Sequence, residues 1–204
     1  MIKTDFVTKI DNPDKVFIVS DHHFFHNNII KYCNRPFETV EEMNDVLVKN
    51  WNSVIGSDDH IYHLGDFCFG NVEKWNWCLE PGRLNGHIHL ILGNHDTERV
   101  FRPGTLIERF DSIDFQKVLL IDGWTVFLNH FPFMDFSNNI DHKVAQLYGH
   151  THEGPFSAGT LTEEKLKSIQ WNQYNIGVDN NDYRPISLAM AMEIIKERRD
   201  KAIV

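Results

Sequence analysis

The chain has 204 residues, 42% of them hydrophobic, and a formal charge of −9. That length fits one domain, 1–204, with a sizeable core. The acidic balance argues against general, charge-driven binding to nucleic acid, which favours a basic face. Phosphate-bearing substrates stay open, because bound cations would invert the local sign.

Three cysteines, Cys33, Cys68 and Cys78, make no CxxC and suggest no disulfide framework. The start, "MIKTDFVTKIDNPDKV", is too polar for a signal peptide, and no apolar run approaches the ~20 residues of a membrane span. The expectation is a cytoplasmic protein without membrane contact. Histidine is over-represented: twelve occur, several beside Asp and Asn.

In chain order, "KVFIVS" (15–20) reads as a buried strand. "HNNIIKYC" (26–33) reads as a short helix stopped by "RPF" (35–37). "TVEEMNDVLVKNWNSVI" (39–55) is an amphipathic helix, with Met43, Val46, Leu47, Asn50, Trp51 and Val54 on or near one face and a capping box in Thr39 and Glu42. "DHIYHLG" (59–65) is a strand, "VEKWNWCLE" (72–80) a helix, and "HIHLIL" (87–92) a strand. This β-α-α-β-α-β order predicts a largely parallel sheet with crossover helices. The second half turns strand-rich. "DFQKVLLID" (114–122) and "TVFLNH" (125–130) form a hairpin or adjacent strands, and "VAQLYGH" (144–150) is another strand. "LTEEKLKSI" (161–169) is a helix or an insertion, and 154–171 is either a flap over a site or plain connection. "QYNIGVD" (173–179) is a strand, and "SLAMAMEIIKERR" (187–199) is a helix that alternatively begins as a strand.

The strand ends share a property. They lead into Asp21-His22-His23, Gly65-Asp66, Gly93-Asn94-His95-Asp96, His130, and Gly149-His150-Thr151-His152. In α/β sheets, sites collect at the carboxyl ends of strands. Asp21 and His23, like His150 and His152, are two apart and would share a side in extended chain. The glycines before Asp66, Asn94 and His150 allow sharp turns beside a site. Imidazole, carboxylate and amide ligands without thiolate suit Zn, Mn, Fe, Co or Ni. Seven candidates (Asp21, His23, Asp66, Asn94, His130, His150, His152) are too many for one tetrahedral ion and suit two divalent metal ions sharing a carboxylate.

The ordered set Asp21-x-His23, Gly65-Asp66, Gly93-Asn94-His95-Asp96, His130 and Gly149-His150-x-His152 resembles the calcineurin-like metallophosphoesterase superfamily. The flanks "HNNIIKYCNRPF" and "NIGVDNNDYRPISL" resemble its small single-domain bacterial and phage branch. The resemblance implies a four-layer α/β sandwich, with two mixed β-sheets flanked by helices. It implies one metal on Asp21, His23, Asp66 and His152, and another on Asp66, Asn94, His130 and His150, with Asp66 bridging. A hydroxide held by the metals would attack phosphorus in line. His95 would face the phosphate as acid or as stabiliser of developing charge, with Asp96 orienting it.

Other residues carry competing readings. His60, His63, His87, His89 and His142 are expected as ordinary hydrogen-bonded core histidines, and His22 is expected to point away from the site. His26, at a helix start, either touches the substrate phosphate or does not. Arg35 and Arg184 could fork onto a phosphate or sit in salt bridges, with a substrate role favoured for Arg35. Cys68 is expected to be packed, and Phe24, Phe25, Phe67 and Phe69 to form walls. The chain therefore reads as a metal-dependent hydrolase of phosphoric esters acting on a small phosphoester or nucleotide-like substrate. Diesters are favoured because few cations stand ready for a monoester's second charge. The alternatives are a nuclease acting on single strands or ends, and a non-catalytic metal-binding module of the same fold.

Overall fold

The apolar runs that end in polar clusters form the centre of two β-sheets. A computed structural model describes residues 6–134, 143–152 and 169–202. In chain order the strands are β1 (Val7–Lys9), β2 (Val16–Val19), β3 (His60–His63), β4 (His87–Ile91), β5 (Phe110–Asp114), β6 (Gln116–Ile121), β7 (Trp124–Asn129), β8 (Val144–Tyr148), β9 (Gln173–Asn175) and β10 (Ile186–Ser187). The helices are α1 (Asn27–Tyr32), α2 (Val40–Val54), α3 (Val72–Leu79) and α4 (Leu188–Ala202).

One sheet has the order β10-β2-β3-β4-β5, the other β1-β6-β7-β8-β9. The first is parallel except for β10, which runs antiparallel to β2; the second is parallel except for the β6–β7 pair. The fold is thus two mixed sheets flanked by helices. Val19, Ile61, Ile88 and Leu90 face one core with Leu47 and Trp51 of α2 and Trp75 of α3. Ile18, Leu64 and Ile91 face the opposite core, shared with Leu119, Val126, Leu128 and Leu147 of the other sheet and with Leu188, Met192 and Ile195 of α4. Strand alternation sorts neighbouring residues between the two cores.

Local signals behave as their chemistry requires. Thr39 Oγ accepts the Glu42 N–H (3.1 Å), while the Glu42 carboxylate reaches back to the Glu38 N–H (2.8 Å), one residue earlier than an ideal capping box. The stretches 114–122 and 125–130 form a hairpin: Asp122 (φ 49°) and Gly123 (φ 78°) both take the left-handed conformation of a tight two-residue turn. The C-terminal segment is both things predicted for it, a two-residue strand and then a helix.

Two strands were not anticipated. β5 carries Asp, Ser and Asp among its five residues, and β1 is a three-residue edge strand, so neither offers the continuous apolar run that marks a buried strand. The predicted element at 161–169 except its last residue, nearly all of the flap at 154–171, and His142 lie outside the described residues. Among the described residues no helix is long and apolar enough to cross a membrane.

Candidate metal and catalytic site

The carboxyl ends of β2, β3, β4, β7 and β8 meet at one edge of the two sheets. Backbone bonds stitch them together: Asp21 N–H to Gly65 O (3.0 Å), His23 N–H to Asp66 O (2.9 Å) and Gly149 N–H to His130 O (3.0 Å). A bridge between Ser20 and Gly177 joins the sheets at the same place. Packing is so close that a Cβ on Gly149 would collide with Ser20 Oγ and the Asp21 carboxylate, and one on Gly93 with Asp66 Oδ1. These glycines are required for proximity rather than for turning alone.

The same-side expectation for Asp21/His23 and His150/His152 holds in outcome but not in mechanism. The chain there is not extended: Asp21, His23, Asp66, His150 and His152 all have positive φ, between 43° and 70°. Non-glycine residues rarely adopt this conformation, and it clusters where surrounding structure over-determines a functional loop.

The side chains converge in two adjoining groups. In each, the potential ligand atoms lie within 4.8 Å of one another: Asp21, His23 and His152, and Asp66, His130 and His150. His23 Nε2 and His152 Nε2 are 3.1 Å apart, a separation that two ligands on one ion would keep with bonds of about 2.1 Å. Asp66 Oδ2 stands 3.4 Å from His23 Nε2 and 3.5 Å from His130 Nε2, and so lies between the two groups. Asn94 Oδ1 lies 3.1 Å from His130 Nε2. All seven predicted ligands are therefore gathered at this edge.

The donor set fits divalent cations. His130 Nδ1–H donates to Leu64 O (2.7 Å), and His152 Nδ1–H donates to Asp179 (2.8 Å). Each leaves its Nε2 lone pair aimed inward, the arrangement that metal-binding histidines adopt. In the protein alone, protons take the place of cations. Burial disfavours charge on His130 and His152, but the carboxylates overcome it: Asp66 with Asp21 lifts His130 to about 9, and Asp179 with Asp21 lifts His152 to about 11. Burial pushes Asp21 upward, whereas at Asp66 the His130 contacts outweigh burial and hold it low. His150, short of such support, is lowered by burial and by His130 to about 4.

His95 borders the cluster at the end of β4. Its N–H donates to Asp66 Oδ1 (3.0 Å), its Nε2 is 4.0 Å from Asp66 Oδ2, and its side chain is 34% exposed, whereas Asp66 is buried. With His23 and Asp66 it also satisfies the distance for a ligand group, so position alone does not separate an acid from a ligand. A cavity of about 430 Å³ opens over the cluster, lined by His23, His95, Asn94, His150, His152 and the wall residues Tyr32 and Phe69 among others.

Three expectations are corrected. Asp96 does not touch the His95 ring; its buried carboxylate accepts the N–H groups of Asp66 (2.7 Å), Gly93 (2.9 Å) and Phe67 (3.0 Å), binding two ligand loops together. Burial and the neighbouring Asp66 raise its pKa to about 6. Arg35 cannot bind substrate: its fully buried guanidinium forks onto Asp179 (2.8 and 2.9 Å) and donates to Asp21 O (2.7 Å) and His22 O (2.9 Å). Its role is to position the first ligand loop. His60 and His87 are not core residues. Both are exposed at the opposite, opening ends of the strands, where His60 Nδ1 lies 3.1 Å from the half-buried His89 and His87 Nδ1 2.8 Å from Asp111.

Most other placements agree with their bland readings. His22 is buried; its Nδ1 accepts from His63 Nε2–H (2.9 Å), because His63 Nδ1 already accepts the Gly65 N–H (3.2 Å). Burial, aided by Arg35, lowers His22 to about 3. Cys68 is buried and free. Of the expected wall residues, Phe69 lines the cavity, whereas Phe24 and Phe67 depart from the expectation and are fully buried in the core. His26 also lines it, stacked on Phe69 at 4.2 Å; α1 behind it has only six residues and supplies little dipole. Arg184 is exposed and is not among the cavity's lining residues. The residue the sequence reading missed is Asp179, which holds both His152 and Arg35. Its signal was present: "QYNIGVD" is another strand running into a carboxylate.

Comparison with known proteins agrees with this geometry. A family model described as calcineurin-like phosphoesterase matches residues 14–201. The uncharacterized protein MJ1445 of Methanocaldococcus jannaschii is 36% identical over 185 residues, covering 90% of this chain and 92% of its own. The Gene 66 protein of Mycobacterium phage L5 is 36% identical over 190 residues, covering 80% and 86%. Among solved structures, the protein of unknown function AQ665 from Aquifex aeolicus superposes with a TM-score of 0.63 at 25% identity, covering 88% of this chain and 98% of its own. With the family match spanning nearly the whole chain and the ligand set assembled at one sheet edge, the chain belongs to the calcineurin-like phosphoesterase family.

Proposed function

We propose that this metal-dependent phosphoester hydrolase works with two divalent ions and prefers diesters. The observation that carries the first part is the Asp66 carboxylate, whose Oδ2 is nearly equidistant from His23 (3.4 Å) and His130 (3.5 Å). Asp21, His23 and His152 would hold one ion with it, and Asn94, His130 and His150 the other. Bound ions would polarise the phosphoryl oxygens, activate water and neutralise charge in the transition state.

The chain's own groups supply the rest. Asp179 and Leu64 O fix the ring orientations of His152 and His130. The Asp66 loop holds the His95 backbone, so the His95 ring faces the cavity beside the cluster. From there its imidazole donates a proton to the leaving oxygen or a hydrogen bond to a phosphoryl oxygen.

The diester preference rests on the lining of the cavity. Among its described residues there are histidines, Asn28, Asn94, Ile29, Tyr32, Cys33, Asp66 and Phe69, but no lysine or arginine. A monoester dianion brings a second charge that such a lining meets poorly, whereas a diester brings one. Turnover of bis(p-nitrophenyl) phosphate and p-nitrophenyl phosphate by Mn²⁺-loaded protein, with metal counted per chain, tests the reading. Two ions per chain and a higher kcat/KM for the diester are expected. A single ion, or faster monoester turnover, overturns the corresponding half.

A further inference from the structure

Beside the catalytic cavity lies a second concavity of about 440 Å³ whose chemistry is the reverse of the first. His26, Asn28 and Phe69 line both, but the second adds Lys74, Arg99 and Arg102, and none of its described lining residues is acidic. In a chain of net charge −9 this is against the grain. Among the described residues no carboxylate lies within ion-pair distance of Lys74, Arg99 or Arg102, so their charge is not neutralised locally. Unpaired cations around a hollow create a focused positive potential that attracts anions.

The cations are also aimed. Arg99 donates from Nη1 to His95 O (2.6 Å) and lies over the Phe69 ring at 4.5 Å. The other neighbour of Phe69 is His26, stacked at 4.2 Å, and its edge meets His95 at 5.4 Å. The guanidinium is thereby held to His95 both directly, through the His95 carbonyl, and by way of Phe69. Lys74 lies over Phe25 at 5.5 Å on the far wall.

We propose that the groove of Lys74, Arg99 and Arg102 binds a second phosphate of the substrate, so that the enzyme acts on single-stranded nucleotide diesters carrying a phosphate next to the scissile one. This deepens, and rests on, the hydrolase reading above. The cations are offset from the metal cluster, so they do not serve the scissile group. They line the adjoining concavity, which shares His26, Asn28 and Phe69 with the cavity over the cluster, and so are open to a neighbouring phosphate of a nucleotide chain. The intervening cavity has room for a nucleoside, and Ile29, Tyr32 and Phe69 give it an apolar side. Guanidinium and ammonium groups so arranged bind phosphate by charge-assisted hydrogen bonds. The acidic remainder of the surface restricts binding to short segments or ends, without the general affinity of a basic protein.

The test compares the thymidine dinucleotide TpT with its end-phosphorylated forms pTpT and TpTp, using Mn²⁺-loaded wild type and the Lys74→Gln/Arg102→Gln double variant of these exposed side chains. One phosphorylated dinucleotide should exceed TpT in kcat/KM by about tenfold, and that ratio should collapse toward one in the double variant, the loss expected for one or two charge-assisted contacts. Equal kcat/KM for all three dinucleotides, or a ratio that survives in the variant, overturns the proposal. Calorimetry with thymidine 3′,5′-bisphosphate and thymidine 5′-monophosphate gives a readout independent of turnover. The bisphosphate should bind wild type more tightly by a similar factor, and the double variant should not distinguish the two. If no diester is hydrolysed at all, the hydrolase reading fails, while the calorimetric comparison still decides for or against the groove.

Discussion

Replacing Asp179 by Asn isolates the residue that couples metal binding to folding. The carboxylate forks onto the Arg35 guanidinium (2.8 and 2.9 Å) and accepts His152 Nδ1–H (2.8 Å); the Arg35 and Asp179 side chains are 0% and 9% exposed. Asn keeps the shape and one acceptor but leaves a buried guanidinium without its counter-charge, a loss of about 3–5 kcal/mol. Through Arg35 the strain reaches Asp21 O and His22 O, the backbone of the first ligand loop. Through His152 it frees the ring that the carboxylate oriented, which typically weakens metal affinity about 10–100-fold. The same carboxylate gives a pH signature. Burial opposes its ionisation, but Arg35 and His152 outweigh burial and hold it at about 2. The folded value lies below the ordinary unfolded one of about 3.9, so the stabilisation, on the order of 2–3 kcal/mol, is complete above that pH and disappears as pH falls toward the folded value. Urea unfolding with EDTA present, measured between neutral pH and the acid limit, should show wild type well above the variant at neutrality and the gap narrowing below pH ~4. Competition with a chromophoric chelator reports the metal term. Unchanged metal affinity together with a pH-independent gap would refute the coupling.

The remaining predictions concern the cluster itself. His95→Asn should retain the full metal content and lose about a hundred- to a thousandfold in kcat; loss of an ion instead would make His95 a ligand, which its distance to His23 and Asp66 permits. Asp66→Asn should impair both ions together rather than one, because its carboxylate is shared, and metal counting reads this directly. Gly149→Ala should give a poorly folded or metal-free protein, as the new methyl meets Ser20 Oγ and the Asp21 carboxylate, and a normally loaded variant would show that this approach is looser than described. Metal affinity should rise with pH across the neutral range, because His130 and His152 hold protons in the metal-free protein that binding must expel; a pH-independent affinity measured at fixed ionic strength would contradict this.

Much of the fold was legible because its central strands carry short, largely apolar stretches, continuous in β2 and alternating or interrupted by a polar residue in the others. β2, β3, β4, β7 and β8 could be placed that way, and α2 showed its 3.6-residue period and its cap. β5 could not, because Asp111 and Ser112 stand where the sheet's opening end meets solvent and the pairing with β4 carries a register shift. A strand that is half wet and bulged loses the periodicity that announces it. The same opening end explains His60 and His87. Their register positions share a face with the buried Tyr62 and Ile91, but they sit beyond the point where the opposing sheet covers that face.

The site was legible for a different reason: each strand stops at a residue that cannot be buried alone. What the sequence withheld was how those residues are aimed. Extended geometry predicts that Asp21 and His23 share a side, and they do face a common point, yet both achieve it with a left-handed backbone, as do Asp66, His150 and His152. Residue type gives only a weak warning of this: Asp and His are enriched several-fold in the region, yet even they adopt it in a small minority of positions. The conformation is imposed by long-range bonds instead. Asp21 N–H is held by Gly65 O, His23 N–H by Asp66 O, and His150 N–H by the Asp21 carboxylate. Each ligand loop is thus shaped by another ligand loop, and Arg35 and Asp96, whose expected roles beside the substrate and His95 the structure corrects, tie those loops together from behind. A charged side chain near a cluster of ligands reads as a substrate contact when only its neighbours in sequence are known. Full burial and backbone partners turn it into scaffolding, and the cations left for substrate are Lys74, Arg99 and Arg102, from segments with no motif to mark them.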